Sequence, residues 1–214
     1  MVRFLVRITK YVHSCLLVEE NSRAVLFDPG DYSHASGMMD VDALGELDAV
    51  LITHGHFDHC NVELLKSIRQ RWPEVPIVSN PEVVEKLEAE NIQATTQAPE
   101  GIACREARHQ PLPWRTPAPD NWSFTVFDRL THPGDSLQIS RSAPVFALPM
   151  QGPWGSLREA LDLALQLRPE KIIPIHDWHW HNGARKALYN GAQDFLGQYD
   201  IEFLPVENGR PTEV

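Results

Sequence analysis

The segment His54-Gly55-His56-Phe57-Asp58-His59 constrains this chain more than any other, because it sets three imidazoles and a carboxylate within six positions. Borderline nitrogen donors beside a hard oxygen donor make a ligand set for a divalent ion of the zinc or manganese type. The residues just before it, Ala49-Val50-Leu51-Ile52, form a short continuous apolar run, the pattern of a buried strand. The cluster therefore sits where a strand runs out. If the segment is extended there, His54 and His56 point to one side, while Asp58 and His59, in the turn that follows, reach a neighbouring position. Two adjacent ions are then easier to serve than one. Behind the cluster, Val62, Leu65, Ile68 and Trp72 have near-helical spacing, with Asn61 placed to cap the first turn.

Similar punctuation orders the rest of the chain. Phe4, Val6 and Ile8 alternate, Cys15 to Val18 is apolar, and Asn21-Ser22 turns into Ala24 to Phe27, a strand that stops at Asp28-Pro29-Gly30. Pro76 to Val78 predicts a strand, and Asn80-Pro81 opens a helix carrying Val83, Val84 and Leu87. Residues 97–121 hold Pro99, Pro111, Pro113, Pro117 and Pro119 and predict a long ordered loop. Beyond it, Ser123 to Phe127, Leu137 to Ile139 and Val145 to Leu148 return to strand patterns. Ser156-Leu157-Arg158-Glu159 is a capping box, followed by Leu157, Leu161, Ala164 and Leu165 on one face and a stop at Arg168-Pro169. Lys171 to Ile175 predicts a buried strand ending on His176, and residues 183–196 a last helix presenting Ala184, Leu188, Ala192 and Phe195.

Composition narrows the partners. A chain of 214 residues with 43% apolar residues can bury a full core and is short for two domains, so a single domain over 1–214 is expected. Net charge is −10 and the basic residues are scattered, which excludes the electrostatic footprint of a nucleic-acid binder. No run of eighteen apolar residues occurs, so no membrane span is expected. The three cysteines, Cys15, Cys60 and Cys104, form no C-x-x-C pair, which fits reduced cytosol. A small-molecule substrate is the partner left, and nothing in the pattern fixes an oligomeric state. Cys60 itself reads as a small buried side chain, and His132 fits no ligand pattern.

The histidine cluster resembles the His-x-His-x-Asp-His signature of the metallo-β-lactamase superfamily, and the resemblance runs on in order. Asp28 resembles that family's supporting strand-end aspartate, His109 its third-motif histidine, Asp135 in Gly134-Asp135-Ser136 its bridging aspartate, and His176 its last histidine ligand. The resemblance implies an α+β fold, a four-layer αββα sandwich of two mixed β-sheets flanked by helices. It implies one metal on His54, His56 and His109, a second on Asp58, His59 and His176, and Asp135 between them. Asp58 and Asp135 would take the catalytic roles, and Asp28 and His13 would support the ligands from behind. Zinc is the first expectation for the two divalent ions, and the same donors accept manganese, iron or nickel. His13-Ser14-Cys15-Leu16 and Leu148-Pro149-Met150-Gln151-Gly152 are similar to elements of the ascorbate-6-phosphate lactonase-like branch, although Val12 stands where that branch usually has glycine.

The implied activity is hydrolysis of a small ester, lactone or phosphodiester-like substrate by a metal-bridging hydroxide. No G-x-S-x-G element offers a serine route. Iron-dependent redox chemistry on the same ligands and a non-catalytic metal-binding domain are the alternatives. The ring-rich segment His176-Asp177-Trp178-His179-Trp180-His181 has two readings: a cleft wall, with Trp178 and His179 touching substrate, or packing against the last helix.

Overall fold

Side chains alternate across strands, and here the alternation builds the layers. In β2 (Cys15–Glu20) Leu17 joins one buried apolar cluster while Leu16 and Val18 join another. Leu26 is set against Val25 and Phe27 in β3 (Arg23–Phe27) in the same way, and Val50 against Ala49 and Leu51 in β4 (Ala49–Leu51). Strands buried on both faces need cover on both sides, which is why they read as continuous apolar runs. With β1 (Arg7–Val12), β5 (Ile77–Val78) and β12 (Pro211–Glu213) they form a mixed sheet in the order β12-β1-β2-β3-β4-β5. The computed structural model describes residues 6–214; Phe4 lies outside them.

A second six-stranded mixed sheet has the order β11-β10-β9-β8-β7-β6. Its strands are β6 (Ile102–Glu106), β7 (Trp122–Val126), β8 (Leu130–His132), β9 (Val145–Pro149), β10 (Lys171–Ile175) and β11 (Glu202–Phe203). Ala147, Ile173 and Ile175 face the first sheet, and Phe146, Leu148 and Ile172 face outward. Helices α2 (Val62–Arg71) and α3 (Pro81–Ala89) cover the first sheet with Leu64, Leu65, Ile68, Val83 and Leu87. Helices α4 (Leu157–Leu167) and α5 (Asn182–Gly197) cover the second with Ala160, Leu163, Ala164, Tyr189, Ala192 and Leu196. A short helix, α1 (Asp31–Ala35), follows β3. The result is the expected αββα sandwich. Its caps form as the sequence dictates: Asn61 Oδ1 accepts from Leu64 N at 2.7 Å, Asn80 Oδ1 from Val83 N at 3.0 Å, and Ser156 and Glu159 close a capping box.

Five elements depart from the sequence reading. The proline-rich segment contains β6, an edge strand paired antiparallel with β7; its side chains are mostly exposed, so no apolar period announces it. Leu137 to Ile139 is irregular, and the strand before it is Leu130 to His132, three residues whose polar members are buried beside the metal-ligating candidates. The buried face of α5 is offset from the expected one, and Ala184 is exposed. The strands β11 and β12 are too short to carry a pattern.

Strand directions gather the site. β2 is antiparallel to β1 and β3, and β3 is parallel to β4, so Val12, Phe27 and Leu51 end on one edge of the first sheet. β7 is antiparallel to β6 and β8, and β8, β9 and β10 are parallel, so Glu106, His132, Pro149 and Ile175 end on one edge of the second. A buried ion pair ties the sheets there: Lys10 Nζ donates to Asp177 Oδ1 at 2.7 Å and to the Pro174 carbonyl at 2.9 Å. Tyr189 OH also donates to Asp177, and Arg185 Nε lies 3.3 Å from it. Among the described residues, no helix is long and apolar enough to cross a membrane. Removing one partner of a buried pair strands the other, so Lys10→Met is expected to lower unfolding stability by about 3 kcal/mol in urea titration; a loss below about 1 kcal/mol would contradict the role given to the pair.

Candidate metal centre

Each candidate ligand follows the end of a strand. His13 follows β1, Asp28 follows β3, His54 to His59 follow β4, His109 follows β6, Asp135 follows β8, and His176 follows β10. Three of them, His13 (φ 59°), Asp28 (φ 44°) and His176 (φ 60°), hold left-handed backbone that non-glycine residues avoid at a cost of roughly 1–2 kcal/mol each. The site also demands glycine where the chain passes closest. A Cβ on Gly134, just before Asp135, would lie 2.1 Å from Asn121 Oδ1, and one on Gly30 would lie 1.8 Å from the Asp58 carbonyl oxygen.

Two groups of ligating atoms result. His54, His56, His109 and Asp135 bring one donor atom each to within 4.8 Å of one another, and so do His13, His59 and His176. Asp135 stands between the groups. Its Oδ2 lies 3.4 Å from His109 Nε2 and 3.8 Å from His54 Nε2, and its Oδ1 lies 2.8 Å from His176 Nε2 and 3.1 Å from His59 Nε2. Asp58 is at the edge of the second group, with Oδ2 3.1 Å from His13 Nε2 and 3.9 Å from His59 Nε2. His13 is thus gathered with His59 and His176 themselves. His132 stands apart: it stacks on Phe27, and its Nε2 bonds the Ser14 carbonyl at 2.9 Å.

The donors are aimed by what holds their other ends. His59 Nδ1 donates to Asp28 Oδ2 at 2.7 Å, leaving Nε2 toward Asp135. Thr53 Oγ1 donates to the same Asp28 oxygen at 2.8 Å and lies 3.1 Å from His54 Nδ1, so one buried carboxylate orients a histidine of each group. His109 Nδ1 donates to the Gln110 carbonyl at 2.6 Å. Asn121, which no sequence pattern singles out, donates to the carbonyls of Ala107 and Pro133 and accepts from Asp135 N at 3.2 Å, fixing the loops of His109 and Asp135 together. Thr53 and Asn121 carry no motif; only their burial beside ligands exposes their role.

Charge and orphaned atoms test whether cations fit. Burial pushes His54 well below its ordinary pKa, lowers that of His56 and takes His13 down to about 3, with neighbouring histidines adding to the effect, which favours the neutral rings that a metal ion requires. His59 goes the other way: burial opposes its protonation, but Asp135, Asp28 and Asp58 around it outweigh burial and raise its pKa well above the usual value. Asp135 likewise overcomes burial, because His176, His59 and His54 hold it well below the carboxylate range. Meanwhile the buried atoms His13 Nδ1, His59 Nε2, His109 Nε2, His176 Nε2 and Asp135 Oδ1 have no hydrogen-bond partner. Unpaired buried atoms gathered around one carboxylate would be costly in a purely structural cluster, and a divalent cation fits such a donor set.

The two groups lie at the base of a cleft of about 310 Å³, lined by His13, His56, Asp58, Asp135 and His176 and, above them, by aromatic side chains. The ring-rich segment divides between its two readings. His179 lines the cleft, Trp178 packs on Tyr32 at its rim with 5.7 Å between ring centroids, and Trp180 packs toward α5 against Tyr189. Asp28→Asn keeps the shape but removes the charge that holds two histidines, so we expect zinc affinity to fall by roughly 10–100-fold in a competition titration with a chromogenic chelator; unchanged affinity would refute that role.

Known proteins resemble this chain in sequence and fold. The chain is 30% identical to Protein Rv0786c of Mycobacterium tuberculosis over 94% of its own length and 98% of that protein's. Its fold matches Igni18, a metallo hydrolase from the archaeon Ignicoccus hospitalis, with a TM-score of 0.70 at 18% identity, covering 98% of each chain. It also matches the metallo-beta-lactamase fold protein YhfI from Bacillus subtilis with a TM-score of 0.69 at 15% identity, over 98% of this chain and 100% of that one. The family model described as a beta-lactamase superfamily domain matches residues 7–176, most of the chain, and the chain belongs to that superfamily.

Proposed function

We propose that this protein is a hydrolase that employs two divalent metal ions, zinc foremost, to cleave a small ester, lactone or phosphodiester-like substrate. The observation that carries the reading is the Asp135 carboxylate, whose two oxygens face separate histidine groups. His54, His56 and His109 would hold one ion, and His59 and His176, with Asp58 or His13 beside them, the other. When bound, such a pair supplies a water of pKa ~7 and polarises the carbonyl or phosphoryl oxygen to be attacked.

The remaining work falls to the chain. Asp58 faces the cleft and accepts from His13; burial opposes its ionisation, but His59 and the His13 contact outweigh burial and hold its pKa below the usual carboxylate range, so it orients a water as a carboxylate. His179 offers a ring nitrogen from the cleft wall to the departing oxygen. A cleft of this volume suits a small molecule, and the free thiols Cys15, Cys60 and Cys104 fit a single-domain protein of the reducing cytoplasm.

Elemental analysis of protein purified without chelator, run beside a panel of lactones, aryl esters and phosphodiesters, tests the proposal. We expect about two metal ions per chain and turnover that chelation abolishes and zinc or manganese restores. Iron without hydrolysis would favour the redox alternative. Less than one metal ion per chain, with no turnover after reloading, would overturn the binuclear hydrolase.

A further inference from the structure

The mouth of the cleft differs in character from its base. Tyr32, Phe57, Leu112, Trp114 and Trp154 line it, and among the described residues lining the cleft none is lysine or arginine. Several of these rings stand open: Phe57 is 57% exposed and Trp114 76%, beside Trp178 at 38% on the rim. Large apolar side chains left exposed together around one opening mark a binding surface. Their arrangement carries more information than their number. Tyr32 meets Phe57 edge-to-face at 5.8 Å and 78°, and Trp154 meets His176 at 5.3 Å and 65°. Crossed rings of this kind leave ring faces and edges available to one further ring, in the offset or T-shaped contacts that aromatic groups prefer.

We infer that the substrate is a neutral molecule that carries an aromatic ring on the side away from the reacting carbonyl, with Trp114, Phe57 and Tyr32 setting that preference. This rests on the hydrolase reading above and narrows it, favouring carboxylic esters and lactones over phosphodiesters. At the mouth the lining residues offer a distal anion no lysine or arginine and a distal cation no carboxylate, since Asp58 and Asp135 lie at the base. An uncharged ring meets neither difficulty and covers the exposed aromatic area. The reaction needs no reactant beyond water: hydroxide adds to the carbonyl carbon, the carbon–oxygen bond to the alkoxide breaks, and a proton goes to that oxygen.

Three lactones with the same kind of leaving oxygen test this: γ-phenyl-, γ-methyl- and γ-carboxy-γ-butyrolactone, each assayed for kcat/KM with zinc-loaded protein and for quenching of tryptophan fluorescence with metal-free protein. The phenyl lactone is expected to exceed the methyl one by roughly tenfold in both readouts, with the carboxy lactone weakest. Trp114→Ala should cut the phenyl-to-methyl ratio to about threefold and Trp114→Phe should restore most of it. Turnover of all three at similar kcat/KM would overturn the aromatic preference and leave the hydrolase standing. Tighter binding of the phenyl lactone with no turnover of any would support the preference and count against hydrolysis. Equal quenching without turnover would remove both.

Discussion

A single carboxylate, Asp135, is the constraint on which the rest of the structure depends. Buried to 1% exposure, it has four imidazoles around it, two on each oxygen. An ionised group so placed is tolerable only where positive charge surrounds it. Its two oxygens therefore face separate histidine groups, and the surrounding loops serve to keep it there. Gly134 lets the chain approach Asn121 and Thr53, and Asn121 fastens the turn to the loop that brings His109. Asp28 completes the arrangement from behind, holding His59 directly and His54 through Thr53. Both groups thus share one bridge in front and one anchor behind, and a change at either anion is felt by both.

The sandwich supplies what such a site needs, rigid ends that point the same way. Strands packed on both faces hold their termini firmly, and the parallel and antiparallel pairings of the two sheets bring six strand ends that carry site residues to adjoining edges. Lys10 and Asp177 reinforce the junction next to His176. The left-handed backbone at His13, Asp28 and His176 shows where local preference yields to that geometry.

Sequence order revealed much of this, for identifiable reasons. His54 to His59 are contiguous, so their grouping was legible, and Asp28, Asp135 and His176 each sit beside a recognisable turn or strand end. Strands β2, β3, β4, β9 and β10 were legible because burial on both faces leaves unbroken apolar runs. What stayed hidden depends on contacts made across the chain. Edge strand β6 has little buried surface to mark it. His13 was expected behind the ligands, and only the pairing of β1 in the first sheet brings it alongside His59 and His176. Asn121, Thr53 and the aromatic mouth are assembled from distant segments, and no local pattern marks them.

The most direct measurement of the central claim is a crystal structure of the zinc-loaded protein with anomalous scattering recorded at the zinc edge. Two peaks about 3.5–4 Å apart, one among His54, His56 and His109 and the other beside His59 and His176, with Asp135 reaching both, are the expected result. A single peak at full zinc loading, or two peaks that Asp135 does not join, would contradict the account.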